Sequence, residues 1–272
     1  MLDKSAGYPL EIEELAINPL AGGIARHGYQ CGMIWGATLA AGAQVYRRLG
    51  PGPKAEMLAI SAAQKLVASY RTCNKPRYIN CAEVTEINLL ERNMMRQVLK
   101  FFVKGKAAGC FMMVDQYTRK AYDIINDSLS DARTDSLFLP VSCTAMLVRR
   151  MGESDIHAVM AAGLAGGIGL SGGGCGALGA AVWLNEMKNH KDGDSTKDIN
   201  SRAEDVISTF LKASGNEFEC AKIAGRKFNS IGEHAEFIRR GGCAKVIYAL
   251  ATRDLTGTAA YSLEHKDYVE IK

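Results

Sequence analysis

The chain has 272 residues, 47% of them hydrophobic and 23% charged, the composition of a folded globular protein rather than a disordered one. Its formal net charge is +4, with Lys and Arg dispersed among Asp and Glu, so no basic stripe marks a nucleic-acid footprint. The stretch MLDKSAGYPLEIEELAINPL carries acidic residues throughout and no apolar core of signal-peptide length, which predicts a cytoplasmic protein. Its eight cysteines are then expected to stay reduced, serving metal binding or thiol redox chemistry rather than a disulfide framework.

Helical periodicity dominates, and the expected fold class is all-α. The first marked stretch is LAGGIARHGYQCG from Leu20, whose glycines should swing the chain so that Cys31 begins a helix. Gly50-Pro51-Gly52-Pro53 breaks that helix from KAEMLAISAAQKLVASY, where Leu58, Ala62 and Leu66 share a face. RYINC, ending at Cys81, is a short strand candidate. In ERNMMRQVLKFFVKG, Met94, Met95, Val98, Leu99 and Phe102 share a face, which predicts a helix packed on the core. LSDARTDS near residue 130 is the expected boundary between two units, 1–133 and 134–272, an arrangement compatible with one compact body.

From Ala158 to Asn185 there is no charged residue, a length sufficient to cross a bilayer. Nine glycines between Gly163 and Gly179 would break a single spanning helix. Two buried helices joined by a glycine turn is therefore the preferred reading, and a membrane segment the lesser one. KNHKDGDSTKD from Lys188 reads as a solvated loop, and AKVIYALA after Cys243 as a helix. DYVEIK near the end is a second strand candidate.

LAGGI occurs twice, and an offset of 144 residues (164 − 20) aligns LAGGIARHGYQCGMIWGA with LAGGIGLSGGGCGALGAA without a gap. The offset pairs Gly28 with Gly172, Cys31 with Cys175, Gly32 with Gly176 and Ala37 with Ala181. With gaps, Cys81 in NCAEVTEINL pairs with Cys220 in ECAKIAGRKF, and Gly109-Cys110 with Gly242-Cys243. Two pseudo-repeated halves follow. The second contains four cysteines, Cys143, Cys175, Cys220 and Cys243. The first contains three, Cys31, Cys81 and Cys110, besides an unmatched Cys73 that reads as a packing residue, with replacement of the missing fourth ligand as the lesser reading.

Glycine surrounds Cys175 and precedes Cys243, and a helical pattern follows each. A thiol at a helix N-terminus is stabilised as thiolate by backbone N–H groups, which prepares it to bind metal or to attack. Gly174, Gly176 and Gly242 are expected to leave room for a cofactor beside those sulfurs. Four cysteines on separate helices can hold an iron–sulfur cluster, [2Fe–2S] or [4Fe–4S]. Two alternatives stand beside it: structural zinc, and thiol–disulfide exchange in which Cys175 attacks and Cys220 or Cys243 resolves. The sequence contains no CxxC, the usual spacing of zinc ligands, and no CxxCH, so no covalent haem is expected. His27, four residues before Cys31, is a candidate cofactor ligand or proton donor, although its counterpart is Ser171 and a second-sphere role weighs more. Trp35 and Trp183 flank the two glycine-cysteine turns, as core residues or pocket walls. The GxGxxG spelled from Gly174 to Gly179 has no strand before it and is set aside as a dinucleotide site.

The order Cys143, Gly174-Cys175-Gly176-Ala177-Leu178-Gly179, Cys220, Cys243 resembles the redox-active protein family named for the motif C_GCAxxG_C_C, with Gly176 interposed between the cysteine and Ala177. The resemblance spans about residues 140 to 250. It implies a helical, cysteine-rich redox protein with Cys143, Cys175, Cys220 and Cys243 as ligands, and less directly Cys31, Cys81 and Cys110. The region is also similar to the cluster part of split-Soret cytochromes, without their haem motif. A redox partner protein of unspecified kind is expected, and a homodimer is compatible with this reading.

Overall fold

The computed structural model describes residues 10–73, 78–91, 93–130, 142–192 and 199–252. Among them the fold is all-α, with no strand and two isolated β-bridges. In chain order the helices are α1 (Glu11–Leu15), α2 (Gly32–Leu49), α3 (Pro53–Thr72), α4 (Cys81–Thr85), α5 (Met94–Val103), α6 (Lys106–Ser130) and α7 (Cys143–Arg150). They continue as α8 (Asp155–Ala162), α9 (Gly176–Asp192), α10 (Ile199–Ser214), α11 (Cys220–Ile223), α12 (Ile231–Arg239) and α13 (Ala244–Thr252).

Local chemistry sets the helix ends. Gly50 and Gly52 adopt positive φ and Pro53 takes the first turn of α3, where its missing N–H is no loss. Ser142 and Ser230 cap α7 and α12 by accepting from Ala145 N and Glu233 N. The uncharged run from Ala158 divides into α8 and α9 around a glycine turn. No helix of the described residues is long and apolar enough to cross a membrane.

The turn is unusual. Gly166, Gly167, Ile168, Gly169 and Leu170 all have positive φ, between 56° and 76°, as does Gly172. A run of L-residues in the left-handed region costs about 1–2 kcal/mol each, so burial and hydrogen bonds must hold it. Ile168 and Leu170 are buried, Ile168 N donates to Leu164 O at 2.9 Å, and Gly172 N donates to Gly166 O at 2.9 Å. The first LAGGI folds likewise. Gly22, Gly23, Ile24, Ala25, Arg26 and Gly28 have positive φ, Ile24 N donates to Leu20 O, and Gly28 N donates to Gly22 O at 3.0 Å.

One continuous core draws on both parts of the chain, with Trp35, Tyr70, Tyr117, Trp183 and Phe210 its largest members. Helix α2 packs on α3, α6 and α8, and α9 packs on α10, α13 and α7. Both tryptophans lie in this core, Trp35 Nε1 donating to Gln30 O and Trp183 Nε1 to Glu13 O. Arg202 holds Glu186 through two hydrogen bonds of 2.7 and 3.0 Å, tying α10 to α9.

Three sequence expectations are corrected. The described residues 78–81 of RYINC form no strand: Asn80 makes a single bridge to Gln30 and the chain turns directly into α4. Lys188–Asp192 continue α9 instead of opening a loop, while 193–198 lie outside the described residues. The apolar face of α5 does not enter the core, since Met95 is 79% exposed and Phe102 62%. The boundary around 131–141 and DYVEIK also fall outside the described residues.

Candidate metal centre

The second-half cysteines sit where the chain changes direction. Cys143 is the first residue of α7, Cys175 immediately precedes α9, Cys220 opens α11, and Cys243, at φ 59°, precedes α13. Two of these places are clamped together by the backbone: Cys175 N donates to Phe218 O at 2.8 Å, Cys220 N to Gly173 O at 2.7 Å, and Ala221 N to Gly172 O at 3.1 Å. Cys143 is fixed from another side. Buried Glu56 of α3 accepts from Ser142 N at 3.4 Å and from Arg149 Nη2 at 2.7 Å, gripping both ends of α7. Burial raises the Glu56 carboxyl pKa even with Arg149 beside it.

The four thiols are free, and Cys143, Cys175 and Cys220 are buried. They lie near enough to act on one another. Burial pushes the Cys220 thiol up, with Cys175, Cys143 and Cys243 adding to it. Cys143 is raised by burial and then by Cys175 and Cys243, against N–H donation from Gly166 and Thr144. Cys243 is pushed up to about 12 by burial and Cys175. Cys175 receives N–H groups of Leu178 and Ala177, as its place before a helix leads one to expect, yet burial wins and its pKa is raised. The expectation of a ready thiolate from the helix N-terminus is therefore corrected: two N–H groups do not offset removal from water.

The glycines serve a purpose different from cofactor clearance. A Cβ on Gly176 would lie 1.8 Å from Leu164 O, one on Gly174 2.7 Å from Gln30 Oε1, and one on Gly242 2.3 Å from the Phe237 ring. At these positions the protein itself takes the space, and the glycines let chain pack on chain. His27 pairs with Glu204 at 3.1 Å and lies 4.9 Å from the Phe218 ring. Phe218 carries the carbonyl bonded to Cys175 N, so His27 sits in the layer behind the thiols.

The first-half thiols form a second group. Cys31 N donates to Ile79 O at 2.9 Å, Cys81 N to Tyr29 O at 2.7 Å, and Ala82 N to Gly28 O at 3.0 Å. Burial raises Cys81 to about 12, aided by Cys31 and Cys110, and Cys110 is raised by burial and Cys31. Cys73 turns its thiol to Ser69 O at 3.5 Å. Among the described residues no group of three or more His, Cys, Asp and Glu is arranged to hold a metal ion.

Sequence reasoning passed over two residues beside these groups, Tyr70 and Gln30, and a third, His157, that ties α8 to α1. Tyr70, fully buried, lies beside Cys31. Gln30 bridges the two cysteine turns through both atoms of its amide. His157 sets Nε2 against Glu13 Oε1 at 3.0 Å and Nδ1 against Glu153 Oε2 at 3.1 Å. Tyr70 continues the four-residue spacing of Leu58, Ala62 and Leu66, which marks it as buried and not as a neighbour of Cys31; His157 gave no ligand spacing, and Gln30 stood next to Cys31 within the repeat.

No curated protein and no solved structure matches the chain. Residues 142–253, which contain Cys143, Cys175, Cys220 and Cys243, match the model of the family described as "Putative redox-active protein (C_GCAxxG_C_C)".

Proposed function

We propose that the protein is an iron–sulfur redox protein that passes single electrons, its cluster held by Cys143, Cys175, Cys220 and Cys243. The observation that carries this reading is four neighbouring thiols in the order of the matched family's motif, three of them buried and two, Cys175 and Cys220, clamped by three backbone hydrogen bonds, with burial raising the pKa of each. Such a group is disfavoured as four thiolates on its own, and a cationic iron centre removes that penalty. The donor set fits, because thiolates alone ligate both [2Fe–2S] and [4Fe–4S] clusters. Raised thiol pKa values also weigh against a Cys175 poised for disulfide exchange.

When bound, the cluster would supply a one-electron acceptor and donor. The chain's own part is to hold four sulfurs on α7, α9, α11 and the turn before α13, to keep water from them, and to direct N–H groups of Gly166, Ala177 and Leu178 at them. Its electrons would come from and go to a redox partner protein in a reducing compartment such as the cytoplasm. Anaerobic reconstitution, a visible spectrum and assays of iron and acid-labile sulfide test the reading. Visible charge-transfer absorption that falls in Cys175→Ala supports it, and a colourless protein without iron overturns it.

A further inference from the structure

Resting on that reading of the four-thiol group, we propose that Cys31, Cys81 and Cys110 hold a second iron–sulfur cluster with three cysteine ligands, and that Tyr70 donates a hydrogen bond to its Cys31 sulfur. The chain builds the two sites alike. The left-handed residues 22–26 and 28 recur at 166–170 and 172. The three bonds that join Cys31 to Cys81 recur between Cys175 and Cys220, with lengths equal to within 0.1 Å. Cys31 and Cys175 each immediately precede a long helix, while Cys81 and Cys220 each open a short one.

Residues at the same offset also touch. Glu13 meets His157, Gln30 meets Gly174, and a Cβ on Gly179 would meet the Trp35 ring at 2.1 Å. Contact between equivalent positions is what two like units produce where a near-twofold axis passes between them. Two sites built alike therefore face each other across Gln30, whose neighbours are Cys31 in one direction and, through Gly174, Cys175 in the other.

The sites differ at the fourth position. In the second, Cys143 completes the set. In the first, the described residues bring no fourth cysteine, because Cys73 faces its own helix. Buried Tyr70 reaches Cys31 instead, its ring packed edge-on against Tyr117 at 5.0 Å. A three-thiolate cluster leaves one metal with a position for a non-cysteine ligand, an arrangement suited to binding a small molecule.

The test uses the anaerobically reconstituted full chain and two double variants, Cys31→Ala with Cys110→Ala and Cys175→Ala with Cys220→Ala. Each is expected to lose part of the iron and sulfide, the two losses together accounting for the wild-type content. Full iron in the Cys31/Cys110 variant overturns the second site and leaves the four-thiol reading intact. Full iron in the Cys175/Cys220 variant overturns the four-thiol reading alone. Complete loss in a folded Cys31/Cys110 variant means one shared cluster and also overturns the proposal. Where that variant does not fold, Tyr70→Phe decides, because it keeps the ring and removes the donor. Two redox transitions, one moved to lower potential, support the proposal, since a hydrogen bond to a ligand sulfur favours the reduced state. A single transition, or two unmoved, overturns it.

Discussion

Gln30 and Gly174, 144 residues apart, hydrogen-bond each other in both directions: Gly174 N donates to Gln30 Oε1 at 2.9 Å, and Gln30 Nε2 donates to Gly174 O at 3.4 Å. The same Nε2 donates to Gly167 O at 3.1 Å, inside the left-handed turn. Gln30 is wholly buried, so its amide substitutes for the solvent these backbone groups lack. Gln30→Ala leaves buried backbone groups unpaired and a void behind, and is expected to lower unfolding free energy by about 2–4 kcal/mol. A chemical-denaturation midpoint within the error of wild type would show that the bridge does not hold the halves together.

Gly176 and Gly32 occupy equivalent places as the first residues of α9 and α2 but differ in clearance. A Cβ at Gly176 would press on Leu164 O at 1.8 Å, whereas one at Gly32 meets Leu20 O at 3.4 Å and Ala21 Cα at 3.2 Å. Backbone oxygen cannot rotate away as a side chain can. Gly176→Ala should therefore destabilise by about 3 kcal/mol or more, and Gly32→Ala by roughly 1 kcal/mol or less. Equal melting temperatures for the two variants would contradict this ordering.

His234 carries the clearest pH dependence. Its side chain is buried beside Phe228, its Nδ1 has no hydrogen-bond partner among the described residues, and burial alone holds its pKa down to about 4. Below the ordinary value of 6.5 the unfolded chain takes up a proton that the folded chain refuses until about pH 4. Stability from this group is thus complete above pH 6.5 and is lost as pH falls, by at most roughly 3 kcal/mol. His234→Phe should flatten the stability profile between pH 4 and 6.5, as read by urea unfolding. An unchanged slope would place the acid sensitivity elsewhere.

The helical class was legible because the apolar period is a pattern in residue type. Burial was less so. The α5 stripe at Met95, Val98, Leu99 and Phe102 has core periodicity, but periodicity marks one apolar face without saying whether anything covers it. Phe111 and Met112 on α6 are likewise 74% and 73% exposed. Strain was not legible either: Ile24, Ala25, Ile168 and Leu170 have positive φ although none is a residue that favours it, because the turns around them leave no alternative. Nor does composition show that Tyr70 and Gln30 reach the cysteines, since both approach from chain neighbours brought close only by folding.

The exposed stripe gives a prediction in its own right. Leu99→Gln with Phe102→Gln removes apolar surface already in contact with water, so unfolding free energy should move by no more than about 0.5 kcal/mol per site. Solubility is expected to rise, because contiguous exposed apolar side chains favour association. A loss of several kcal/mol in thermal or urea unfolding would mean that this face is packed after all.

The last prediction concerns the thiols without iron. With Cys81 and Cys243 pushed up to about 12 and Cys175 also raised by burial, little thiolate exists at pH 8 in the folded chain. A neutral thiol reagent attacks through the thiolate, so Cys81, Cys175 and Cys243 should label slowly until denaturant is added. Raising the pH should speed labelling roughly tenfold per unit below the thiol pKa, as long as the fold holds, because the thiolate fraction grows in that proportion. Mass spectrometry of the labelled peptides, anaerobically and after chelation of iron, assigns the rates residue by residue. Rapid labelling of Cys175 at pH 7, with a plateau between pH 7 and 8, would reveal a low-pKa thiol and return disulfide exchange to the front, since only a nucleophile ionised at neutral pH behaves in that way.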